Sequence, residues 1–301
     1  MRRLRPLGLA ALVLCAPILP SCSASSTSPR PSLPTFVYVS DVFGPSQLFL
    51  FRNDTSIRVT NDVGNDTDPR SAAGLLVFSS DRDRNQEVYI ADTLGAVQHR
   101  VTNSAANDFE PDLSPHGDQI AFASNRTGLP RIWIVPAPAL ADTGFPTATQ
   151  LATGSDLTVP EQSPAWSPDG SQIAFTSTRT GTSQVFVVAA TGGVAVQLSH
   201  EAGGAFSPAW SADGKSVVYQ SNTGTPTIVK ANANSDVVTP LASDSLGIGE
   251  PTCNATFCLG VTNPNDTSGA IVSFLLSSPA TTSVVLTRAN NERQPAIIVA
   301  P

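Results

Sequence analysis

The side chains able to do ionic or acid–base chemistry recur at intervals along this chain. Acids stand at Asp68, Glu110, Glu161, Glu250 and Glu292, and arginines at Arg82, Arg126 and Arg179, with Asn222 and Asn263 at the corresponding later positions. Such an array suits charge-based recognition of a partner. The residue types that most often carry catalysis are scarce. His99, His116 and His200 lack metal-ligand spacing, and no Gly-x-Ser-x-Gly elbow is present. The run Asp81-Arg-Asp83-Arg-Asn85-Gln-Glu87 opens like a calcium loop, but Gln86 stands where that loop needs glycine. No cofactor, metal or catalytic residue is therefore expected. Asn53, Asn65, Asn125, Asn254 and Asn265 each begin an Asn-x-Thr triplet, which reads as turn composition.

The elements that must position these residues are repeats. Ser163-Pro-Ala-Trp-Ser-Pro-Asp-Gly-Ser-Gln-Ile-Ala-Phe175 is matched by Ser207-Pro-Ala-Trp-Ser-Ala-Asp-Gly-Lys-Ser-Val-Val-Tyr219 and by Glu110-Pro-Asp-Leu-Ser-Pro-His-Gly-Asp-Gln-Ile-Ala-Phe122. Weaker copies begin at Pro69, Pro251 and Pro295. The six anchor prolines are spaced 42, 53, 44, 43 and 44 residues apart. A second marker keeps step: Val59, Val101, Leu151, Leu198, Leu241 and Leu286 precede the anchors by 10, 10, 13, 10, 10 and 9 residues.

Within a repeat the pattern is all β. Ser-Pro-Asp-Gly supplies turn chemistry, since proline presets φ and glycine accepts positive φ. It joins strand A (164–166) to strand B (172–177). Arg179-Thr-Gly-Thr reads as a loop, followed by strand C (185–189), a Thr-Gly-Gly turn, and strand D (195–198). Four antiparallel strands in about 43 residues make one propeller blade, which must bury its faces against neighbours. At the N-terminus, 36–40, 47–51 and 56–60 match strands B, C and D, and 295–300 matches strand A. The chain is thus predicted to be an all-β, six-bladed propeller over residues 35–301, closed where its N-terminal strands B–D pair with its C-terminal strand A.

The pattern Pro-x-Trp-Ser-Pro-Asp-Gly-x-x-Ile-Ala-Phe-x-Ser-x-Arg at 164–179 resembles the repeat of TolB-like β-propellers. The likeness runs from residue 35 to 301. It weakens at Ala72–Leu76, where the first A–B turn is two residues short, and at 251–260, where Cys253 takes the tryptophan position. The resemblance implies an extracytoplasmic propeller that binds protein partners. TolB itself carries a further α/β domain before its propeller. Only 12 residues separate Cys22 from the first strand here, so that domain is not expected, and TolB's cellular role does not transfer with the fold.

Residues 1–21 read as a signal peptide. Arg2, Arg3 and Arg5 precede an apolar stretch from Leu7 to Leu19, 13 residues and so short for a bilayer span. Leu19-Pro20-Ser21-Cys22 resembles the lipobox of bacterial lipoproteins, which makes Cys22 the expected lipidation site. Ser23 at the next position favours the outer membrane in a Gram-negative host. Residues 22–34 are Ser/Pro-rich and read as a flexible tether, whose last 12 residues reach about 40 Å when extended.

The formal net charge is −7. Without the three leader arginines, 14 bases face 24 acids, a balance that argues against sequence-independent nucleic-acid binding. Cys253 and Cys258 flank a short turn in hairpin register, where Cβ atoms come within bonding range. Export permits oxidation, so they are expected to pair.

The expected function is a monomeric, non-catalytic scaffold of the cell envelope, held to the membrane by lipid and engaging an envelope protein or peptide. The alternative is a propeller enzyme acting on glycans as hydrolase or lyase. The D–A and B–C loops emerge on one side of a propeller. Asp68, Arg82, Glu110, Arg126, Glu161, Arg179, Glu250 and Glu292 are therefore expected to converge around the channel mouth as the binding face. The competing expectation is that each arginine only ties its own loops to a neighbouring blade.

Overall fold

The computed structural model describes residues 35–154, 158–233, 238–243, 247–254, 257–262, 270–275, 283–286 and 292–298. Cys22, the leader and the tether lie outside the described residues. Six four-stranded antiparallel sheets stand in sequence order. Blade 3 is representative: strand A is Glu161–Trp166, B is Gln172–Thr180, C is Thr182–Ala189 and D is Val196–Gln197. The segment Arg179–Thr182 is a continuation of B and C and not an open loop. Gly181, at φ 106°, turns the chain so tightly that Thr180 still pairs with Thr182.

Strands A of blades 1, 2, 4 and 5 are Asp66–Ala72, Asp108–Leu113, Ala205–Trp210 and Ile248–Cys253. Blade 6 is composite. Its strand A is Arg293–Ile297, and its strands B, C and D are Phe36–Ser40, Gln47–Arg52 and Thr55–Arg58. Phe36 pairs with Ile297 and Val37 with Ala296. This seam makes the array a ring and rules out an open stack. The one long interval between anchors has a local cause: residues 137–148 join strands C and D of blade 2. There Ala137, Leu140 and Ala148 pack on the core between blades 1 and 2.

Side chains alternate across a strand, so each sheet has two apolar faces and no blade owns a core. Ile120 and Phe122 face blade 1, whereas Ala121 faces blade 3. Six clusters of buried side chains result, one between each pair of adjacent blades, including blades 6 and 1. Cys253 and Cys258 lie opposite each other on strands A and B of blade 5 and are joined by a disulfide, with Cα atoms 4.1 Å apart.

Strand A is the inner edge of every blade. The residue before each anchor proline sits at positive φ: Asp68 54°, Glu110 51°, Ser163 51°, Ser207 50°, Glu250 52° and Gln294 49°. Pairing with strand B shifts register at the same point, and the ladder of blade 6 shifts there too. This is a β-bulge repeated six times. Proline suits the place, because an inner edge offers its N–H no strand partner.

Candidate functional site: the axial channel

The six bulges aim their positive-φ residues at the axis. Asp68, Glu110, Ser163, Ser207, Glu250 and Gln294, with Arg70 and three of the anchor prolines, line a polar cavity of about 170 Å³. Where the side chain is long enough, it reaches round the ring. Glu110 Oε2 accepts the Ser163 N–H at 2.7 Å, Glu250 Oε2 accepts the Gln294 N–H at 2.8 Å, and Gln294 Oε1 accepts the Asp68 N–H at 3.0 Å. Gln294 Nε2 also donates to Asp68 Oδ1 at 2.5 Å. The ring thus satisfies inner-edge backbone groups from one blade to the next, which pairing within a blade cannot do.

One residue past each anchor, the channel is lined by Arg70, Asp112, Ala165, Ala209, Thr252 and Ala296. Arg70 is the cation here, against carboxylates at Asp68, Glu110, Asp112 and Glu250. Burial, reinforced by the nearby Asp68 charge, pushes the Glu110 carboxyl up to about 7. Burial pushes Asp112 up to about 6, against the opposing pull of Arg70. Glu250 is raised chiefly by burial and further by Asp68.

The raised Glu110 has a consequence for stability. Its folded pKa lies above the ordinary glutamate value, so between roughly pH 4.5 and 7 the native chain holds a proton that the unfolded chain has lost. The stabilisation from that proton is full below the unfolded value and is lost as pH rises through about 7. Glu110→Gln keeps an acceptor for the Ser163 N–H, as Gln294 does for Asp68, and removes the charge. We expect it to raise stability at pH 8 by on the order of 1 kcal/mol and to change it little at pH 5. Thermal melts of both proteins at the two pH values check this.

The arginines lie elsewhere. Arg82 pairs with Asp66 at 2.9 Å and Asp62 at 2.7 Å, Arg126 with Asp108 at 2.6 Å, and Arg179 with Glu161 at 2.5 Å. Each guanidinium also covers aromatic rings of its own blade: Phe78 and Tyr89, Phe122 and Trp133, Phe175 and Phe186. The Phe-x-Ser-x-Arg spacing explains this, since residues i, i+2 and i+4 share one strand face and the serine hydroxyl accepts the arginine Nε–H.

The expected acids therefore divide by register. Asp68, Glu110 and Glu250, one residue before the anchor, are brought together at the axis. Glu161 and Glu292, three residues before it, are fully buried at the head of strand A. The eight residues do not converge, because two positions apart on a bulged strand is a different environment. Glu161 has a second partner, Arg131 of the preceding blade, at 3.3 Å. Arg131 is itself 3% exposed on its side chain, so the pair joins two blades inside the protein.

Blade 4, with Asn222 in the arginine position, inverts the polarity. Glu201 of the D–A loop accepts from Tyr219 Oη at 3.1 Å, Ser221 Oγ at 2.7 Å and Thr223 Oγ1 at 3.1 Å. Asn263 lies outside the described residues. The segment 81–87 is a B–C loop whose acids have separate partners: Asp81 accepts from Asn65, Asp83 from Tyr89 and Arg100, and Glu87 from Arg100 and Thr102. Among the described residues no group of three or more His, Cys, Asp or Glu side chains could hold a metal.

Six blades, a composite closing sheet and a narrow polar channel ringed by pre-proline residues define a six-bladed β-propeller of the Pro-x-Trp-Ser-Pro-Asp-Gly type. The family model described as TolB beta propeller domain matches residues 147–299, and the chain belongs to that family. A protein TolB homolog of Chlorobaculum tepidum is 30% identical over 142 residues, covering 46% of this chain and 30% of that protein. The chain thus matches about a third of that relative's length. In solved structures the same fold recurs in TolB from Acinetobacter baumannii, with TM-score 0.70, 17% identity, and coverage of 87% of this chain and 66% of that one. It recurs also in a putative TolB from Agrobacterium tumefaciens, with TM-score 0.67, 15% identity, and coverage of 89% and 94%.

Proposed function

We propose that the propeller is a non-catalytic binding scaffold of the bacterial cell envelope, held to a membrane through lipid on Cys22. It engages a protein or peptide partner with the face formed by the D–A and B–C loops. The observation that carries this reading is the composition of that face. Arg82, Arg126 and Arg179 are fixed in ion pairs, and hydrogen bonds join neighbouring blades across the channel. Phe43, Val63 and Leu129, at 68%, 88% and 42% exposure, stand out from the same loops. Apolar side chains on a rigid, acidic rim are a recognition surface. The family relationship supports an envelope setting, and the acidic rim with Asp68, Glu110 and Glu250 behind it favours a basic partner segment.

The test is Phe43→Glu combined with Val63→Glu, with Val194→Glu on the opposite face as control. Cross-linked partners are recovered from the host envelope and identified by mass spectrometry. The proposal expects one defined partner with wild type and with the control, its loss with the double variant, and equal melting temperatures. Retention of that partner by the double variant overturns the assigned face. Unchanged membrane fractionation of Cys22→Ala overturns the lipid anchor.

A further inference from the structure

The other end of the channel is different. Where strands A reach the A–B turns, the channel widens into a funnel of about 450 Å³. Its wall is apolar: Leu113, Trp166, Trp210, Ile297, and prolines including Pro115 and Pro168. Arg70 lies at the junction of the funnel and the polar cavity, and Asp112 lies on the funnel side only. The indole N–H groups do not open into it: that of Trp210 donates to the Ala165 carbonyl at 3.0 Å, and that of Trp166 is enclosed within the wall. What the funnel offers a ligand besides apolar surface is charge. The axis sets four carboxylates against one guanidinium, and three of the four acids share Arg70 from the polar cavity.

We infer that the funnel binds the amino end of an apolar residue, that is, an α-ammonium with an apolar side chain. The side chain lies against the apolar wall at Leu113 and the tryptophans, and the ammonium meets Asp112. The charge balance decides between ligand classes: an anion would meet a net negative axis, whereas an ammonium supplies the missing cation. The charged groups around Asp112 are Glu110 on its own strand, Arg70 on the neighbouring blade, and Asp68 and Glu250 further along the axis. Burial holds the Asp112 carboxyl high, so an ammonium there favours its ionised form. Affinity then rises from pH 5 to pH 7 and falls once the ligand's own amine titrates near pH 8. This site is separate from the loop face proposed above, and either can fail without the other.

The probes are phenylalaninamide, N-acetylphenylalaninamide and the tripeptide Phe-Ala-Ala amide, titrated calorimetrically into the full chain. Saturable binding of phenylalaninamide is expected, with loss of about tenfold or more in affinity on acetylation or with Asp112→Asn. Asparagine can still accept the Trp166 backbone N–H that Asp112 Oδ2 takes at 2.6 Å, and its melting temperature is measured alongside. The pH profile of the unsubstituted protein gives an independent reading. Absence of saturable phenylalaninamide binding, equal binding of the acetylated probe, or an affinity flat between pH 5 and 7 overturns the inference. Tripeptide binding as tight as the amide's assigns the funnel to polypeptide ends; amide binding alone assigns it to small amines.

Discussion

Replacing Glu161 with alanine is expected to cost about 3–5 kcal/mol, the range for breaking a buried ion pair from one side. Glu161 is fully buried and answers two guanidiniums, Arg179 of its own blade and Arg131 of the blade before. Removing it leaves Arg131 inside the protein without this carboxylate, while its guanidinium still donates to the Val159 carbonyl. Denaturant melts measure the loss. The sign of a second substitution separates charge from packing. Arg131→Met added to Glu161→Ala should recover part of the stability, because the stranded charge goes with it. A double variant less stable than Glu161→Ala alone would mean that the guanidinium was not the burden.

The other large effect concerns closure. A chain ending at residue 291 lacks strand A of blade 6, and with it the Phe36–Ile297 and Val37–Ala296 pairs and the Gln294 bonds to Asp68 and Glu250. Ala296 and Ile297, 1% and 6% exposed, leave the cores they complete, and the inner edge of Phe36–Ser40 is laid bare. We expect loss of the cooperative melting transition, with exposed apolar surface detected by dye binding. A truncated chain that melts as sharply as the full one, within a few °C, would show that the seam is not what holds the ring. Adding a synthetic peptide of residues 292–301 should restore the transition if the seam acts by pairing alone.

Much of this architecture was legible because its signals are periodic. Turn residues at fixed offsets and apolar strands of even length locate the blades, and the incomplete first and last repeats reveal their common sheet. The site was less legible. Aligning acids by nearness to the anchor merged Glu110 with Glu161, since a bulge is invisible in sequence and changes which way a residue points. The arginines carried a usable signal in Phe-x-Ser-x-Arg, which places the guanidinium over a ring on its own strand. The funnel carried a fainter one. Trp166 and Trp210 share a repeat position, but Leu113, Cys253, Ser71 and Ile297 at the same position have no common chemistry. Only the ring brings them to one wall. Asp112 and Arg70 were missed for the same reason: each is singular at its position, and the eye reads repeats.

The bulge before each anchor proline has a consequence for how such a channel can change. Its backbone is the same in all six blades, whereas its side chains are Asp, Glu, Ser, Ser, Glu and Gln. The conformation is written by the proline and the ladder, and the residue at positive φ needs only to tolerate it. Channel chemistry is in this sense uncoupled from scaffold chemistry. A substitution there can alter the polarity of the lumen without displacing a strand, provided that the newcomer is not β-branched, since a branched Cβ strains that φ. Ligand preference in propellers of this design can therefore drift quickly while the ring around it stays fixed.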